Sequence, residues 1–124
     1  MEKKDWNLQK RLRSFAYAGN GIRLLFTQPN ACIHAVVMVL VILAGWWFGI
    51  SRLEWCAILL CIGGVLMAEA MNTAVEALAD KVSVEKDPLI GRAKDLAAGA
   101  VLIFVMAAVA VGLIVFLPRV LMLF

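Results

Sequence analysis

The chain has 124 residues, of which 64% are hydrophobic, and a mean hydropathy of +0.91. A soluble domain is nearer half apolar, so a water-surrounded globule is excluded and lipid must replace much of the core. The net charge is +3; its distribution matters more than its sum, and no nucleic-acid partner is expected.

One membrane-embedded, all-α domain is expected over 1–124. The first element is a surface segment, 1–28. Residues 6–26 mix Trp6, Leu8, Leu12, Phe15 and Ile22 with Lys10, Arg11, Arg13 and Arg23. Apolar residues at helical spacing, with basic residues between them, predict an amphipathic helix lying on the membrane surface. The blander reading is a solvated leader. A secretory signal peptide is not expected, because the apolar run begins late and no clean small-residue cleavage site follows it.

Three segments have the length and apolarity to span a bilayer, which takes ~20 apolar residues. The first is 31–50, preceded by Gln28-Pro29-Asn30 and closed by Gly49 and Ile50. The second is 53–78. The third is 96–117, which Pro118 is expected to end, with Asp95 favouring its start through the helix dipole. Small residues on these spans, Gly63 and Gly64 among them, allow close helix approach in lipid.

The second span carries the informative feature. Uncharged residues run from Trp55 to Ala68, and then Glu69, Asn72, Glu76 and Asp80 follow on one helix face, with Thr73 at its border. Ionisable groups at membrane depth are costly and mark functional sites by default. Such a helix spans only if its polar stripe faces protein or water. Three helices enclose little interior for a buried carboxylate, so self-association is expected.

Lys and Arg set the orientation. Residues 1–23 carry Lys3, Lys4, Lys10, Arg11, Arg13 and Arg23, and the 80–95 loop carries Lys81, Lys86, Arg92 and Lys94. The turn between spans one and two has only Arg52, and the C-terminus only Arg119. The N-terminus and the 80–95 loop are therefore expected in the cytoplasm. Glu76 and Asp80 then sit at the rim, with Glu69 deeper.

Cys32, Cys56 and Cys61 lack metal or redox spacing and read as packing residues. His34, the sole histidine, reads as a helix-end hydrogen-bonding residue rather than a catalytic one. Trp46, Trp47 and Trp55 flank the external turn as an interfacial belt.

Glu69 and Glu76 are seven residues apart, ~10.5 Å along a helix axis, too far to grip one ion together. That spacing suits a division of labour. Glu76 would hold a hard cation such as magnesium, and Glu69 would accept a proton from a hydroxyl. The segment Gly91-Arg92-Ala93-Lys94-Asp95 lies opposite, and lysine is a point charge suited to phosphate. Cation site, phosphate-binding lysine and base form a phosphoryl-transfer set. No Walker-type or Rossmann glycine motif is present. A proton or ion pathway uses the same stripe, and the residues alone rank it only narrowly lower.

The segments EAMNTAVEALAD at 69–80 and GRAKDLAAGAV at 91–101 resemble the prokaryotic-type diacylglycerol kinase family. Supporting pieces are FAYAGNGI at 15–22, the Asn30 and His34 pair, ISRLEW at 50–55 and the terminal VFLPR. These lean toward the undecaprenol kinase branch.

The resemblance implies a homotrimer in the bacterial inner (plasma) membrane, with active sites shared between protomers. It implies ATP with Mg2+ as donor and a membrane lipid alcohol as acceptor, either undecaprenol or diacylglycerol. A non-enzymatic transport or structural subunit is the alternative of a different class. On the matching positions Glu69 would be the general base, supported by Asn72. Glu76 would bind the metal, and Lys94, Asp95, Glu85, Lys86 and Asp87 would contact the nucleotide. Lys10 and Tyr17 occupy the surface-helix positions that the family uses. One departure is visible: Gln28 stands where the family has a second metal-binding glutamate. A glutamine keeps a carbonyl oxygen but lacks the charge. The nucleotide loop also reads Glu85-Lys86-Asp87-Pro88 rather than a His-Pro ending.

Overall fold

The computed structural model describes residues 7–83 and 85–124. Four helices follow in order: α1 (Leu8–Leu25), α2 (Pro29–Phe48), α3 (Arg52–Val82) and α4 (Pro88–Leu121). The surface-segment residues Lys3, Lys4 and Trp6 lie outside the described residues.

Each start has a local cause. Asn7 opens α1, its side chain accepting from the Gln9 amide at 2.8 Å. Leu8, Leu12, Phe15 and Ile22 of α1 are all exposed, which suits a helix whose apolar face meets lipid rather than protein. Pro29 begins α2, where its missing N–H costs no hydrogen bond. Gly49 ends α2 with φ +63°, a left-handed conformation that favours glycine. Ser51 and Glu54 then form a reciprocal capping box for α3, at 3.2 and 2.9 Å.

α2, α3 and α4 are each long and apolar enough to cross a membrane. α3 and α4 have 31 and 34 residues. At ~1.5 Å per residue they exceed the ~30 Å hydrocarbon layer, so both project beyond it.

The helix ends depart from the expected spans: α2 closes at Phe48 rather than at 50, α3 runs past 78 to Val82, and α4 differs most, at both ends. α4 begins at Pro88 rather than at 96, because Asp87 caps it and Pro88 takes the first helical position. Residues 91–95 are therefore helix, not loop, and Asp95 is a helix-interior residue. Pro118 also does not end the helix: α4 runs on to Leu121. Proline disturbs the turn before it, and there Arg119 Nη1 donates to the Val115 carbonyl at 2.8 Å.

α3 and α4 form the principal helix pair, and α2 and α1 rest on α3. Gly64 of α3 lies directly against the Phe104 ring of α4. At the far end, Ile50, Ile58 and Val115 are buried under Phe48, Trp55 and Phe116. Arg119 clasps Glu54 there through two hydrogen bonds of 2.7 Å, tying the end of α4 to the start of α3. Large apolar side chains such as Leu40, Leu60, Ile103 and Ile114 face outward, as lipid-bathed helices require.

Candidate functional site

Glu69 is the one buried charged residue among those described, with 5% of its surface exposed. Its carboxylate Oε1 lies 3.1 Å from Nε2 of His34, across the α2–α3 contact. This corrects the helix-end reading of His34: the imidazole reaches a carboxylate 35 residues away on another helix rather than a group at the end of its own. Thr73 Oγ1 donates to the Glu69 carbonyl at 2.9 Å, fastening the α3 backbone at that point.

Beside this pair opens an apolar cavity of about 220 Å³ between α2, α3 and α4. His34 forms its polar wall; Val37, Val41, Ile62, Val65 and Val109 supply much of the rest.

Toward the charged end of α3, Asn72 Nδ2 faces Glu76 Oε1 at 3.5 Å. Asn72 Oδ1 is buried and has no donor. Buried polar atoms normally find a partner, so this oxygen is available to water or a ligand. The Glu76 carboxylate beside it is exposed. One carboxylate plus neutral oxygens and water is the donor set that Mg2+ takes when phosphates complete its shell. The residues therefore fit magnesium. Gln28 stands at the start of α2 without a capping bond, its amide 3.5 Å from Thr27 Oγ1.

Where α3 meets α4, Lys94 Nζ donates to Asp80 Oδ1 at 2.6 Å. Lys94 precedes the apolar stretch 96–117. Its bond to the Asp80 carboxylate, with a smaller attraction from Glu76, raises the ammonium above the ordinary lysine range. It stays cationic throughout the physiological range. Asp80, Ser83, Glu85, Lys86 and Lys94 line a polar cleft of about 500 Å³. Asp87 also lines it, but Asp87 Oδ1 is already engaged as the α4 cap, accepting from Leu89 and Ile90 at 2.8 and 3.4 Å. Asp95 is exposed one residue beyond Lys94. Lys10 and Tyr17 lie on exposed α1 and are not part of the cleft wall of their own chain.

One chain thus joins Glu69 to His34, Asn72 to Glu76 and Asp80 to Lys94, in that order along α3. The sequence reading missed His34 as a site residue. The usable signal was an ionisable side chain inside an apolar span.

The sequence pattern that defines the family described as prokaryotic diacylglycerol kinase matches residues 16–116. The chain belongs to this family. The undecaprenol kinase of Bacillus subtilis (strain 168) is 38% identical over 122 residues, covering 96% of this chain and 99% of that protein. A diacylglycerol kinase of Synechocystis is 36% identical over 121 residues, covering 95% of this chain and 69% of its own length. The diacylglycerol kinase of Escherichia coli (strain K12) is 27% identical over 99 residues, covering 79% and 81%. Membership of this family accords with the three apolar helices.

Proposed function

We propose that this chain transfers the terminal phosphoryl group of ATP to the hydroxyl of a membrane lipid alcohol, undecaprenol in particular. The observation that carries this reading is the buried Glu69 carboxylate, which lies along α3 between Val65 of the apolar cavity and Asp80 of the polar, lysine-bearing cleft. The cavity accepts the part of the acceptor that never leaves the bilayer. The cleft receives a soluble, charged donor.

The hydroxyl proton passes to a Glu69 oxygen. The lipid oxygen forms a bond to the terminal phosphorus, the bond from that phosphorus to the bridging oxygen breaks, and ADP leaves. Lys94 faces the phosphates. Glu76 and Asn72 would hold Mg2+, which supplies charge neutralisation of the phosphates when bound. Positioning and electrostatics carry such a reaction, with little covalent work for the protein.

The charged end faces the cytoplasm of the inner (plasma) membrane in this reading, because the basic residues cluster there. A homotrimer completes the site: Lys10 and Tyr17 lie outside the cleft of their own chain, and a neighbouring protomer would bring its α1 to it. Diacylglycerol is the second acceptor, favoured by the Synechocystis relative's name and 36% identity.

The test is ATP consumption by the purified protein in detergent, with undecaprenol, with diacylglycerol and with neither. Undecaprenol-dependent consumption supports the reading. Preference for diacylglycerol replaces the acceptor. Indifference to both lipids returns the acidic stripe to a transport or structural role.

A further inference from the structure

We infer that His34 is a positioning residue for the base, holding the Glu69 carboxylate in one orientation through Oε1 so that Oε2 is free for the acceptor hydroxyl. The inference rests on the phosphoryl-transfer reading of this site. Glutamate has three rotatable side-chain bonds, and at 5% exposure Glu69 has little water to fix it. Among the described residues His34 is its side-chain hydrogen-bonding partner; Thr73 binds the Glu69 backbone instead. An ionised carboxylate only accepts, so Nε2 of His34 must carry the proton in that state.

The imidazole suits the task in two ways. Its ring is short and stiff, and α2 holds it in the wall of the apolar cavity, so the carboxylate bonded to it is kept beside the space that a lipid chain would fill. It also donates without a permanent charge. A lysine in the same place would stabilise the carboxylate as an anion and weaken it as a base. Oε1 keeps its bond to His34 throughout, and the acceptor's proton goes to Oε2. The freed O–H electron pair forms the new bond to phosphorus, and ADP leaves with the electrons of the bond that breaks.

The test uses the full chain in detergent micelles with undecaprenol and magnesium ATP. A hydrogen bond to a charged group is strong enough that His34→Leu is expected to lower kcat by about ten- to a hundredfold, with KM for ATP unchanged. His34→Gln places an amide N–H where Nε2 stood and is expected to restore most of kcat. His34→Asn is polar but too short to place an N–H there, and should be as slow as His34→Leu. Full kcat in His34→Leu, or equal loss in the Gln and Leu variants, overturns the inference. Should His34→Leu fail to fold, the Asn and Gln variants decide: a slow Asn beside a fast Gln supports it, and equal rates overturn it. Active wild type, inactive Glu69→Gln and unaffected His34→Leu refute His34 alone. A wild type that phosphorylates no lipid refutes the underlying reading.

Discussion

A methyl group added at Gly64 tests the helix pairing on which the site is built. Its Cβ would overlap the Phe104 ring: two ring carbons would be closer than any real contact. Even the third, Cε2, would be 2.7 Å away, well inside the 3.4–4 Å of ordinary contact. The atoms met are a bulky ring on a packed helix, so α3 and α4 must part or Phe104 must leave its rotamer. Overpacking of this kind costs about 1–3 kcal/mol. Alanine is the better helix former by ~1 kcal/mol, so the net loss of unfolding free energy expected for Gly64→Ala is up to ~2 kcal/mol. The assay is equilibrium unfolding in mixed micelles, applied to Gly64→Ala, Phe104→Leu and the double variant. Leucine lacks the ring, so the double variant should lose at least ~1 kcal/mol less than the sum of the two single losses. Strict additivity in this cycle would refute the packing.

Three further outcomes are expected. Lys94→Met should raise KM for ATP by about tenfold or more while leaving stability nearly unchanged, because an exposed ion pair contributes little to folding; initial rates at varied ATP, with an unfolding curve, check both halves. Glu54→Gln should lower the unfolding midpoint, since it weakens the two-bond clasp with Arg119, yet leave KM for ATP as it was; a shifted KM would show that this end communicates with the cleft. Gln28→Glu should lower the magnesium concentration needed for half activity if residue 28 lies in the metal shell, and an unchanged magnesium curve places it elsewhere.

Much of the architecture was legible in the sequence because lipid demands long apolar runs, and three long apolar helices, α2, α3 and α4, lie where those runs are. Hydropathy marks where a membrane begins, however, and a helix begins where its cap is. That is why α4 starts eight residues before the apolar stretch, at the Asp87–Pro88 pair that had read as a turn. Pro118 misled for a related reason: a proline in the last turns frees a single carbonyl partner, and the helix continues. Glu69, Asn72, Glu76 and Asp80 were legible as a stripe because helical spacing alone puts them on one face. The His34–Glu69 bond was not. It depends on the register of α2 against α3, which no local spacing encodes. The Lys94–Asp80 pair lies between these cases, joined by a short connection that turns α4 back beside α3.

The most direct test of the central claim follows label from radioactive ATP into lipid. Purified protein in detergent, supplied with magnesium and undecaprenol, is expected to transfer terminal phosphate to the lipid. Glu69→Gln, folded as the wild type is, is expected to be slower by a factor on the order of 10²–10⁴. A Glu69→Gln variant that labels undecaprenol as fast as wild type would contradict the claim.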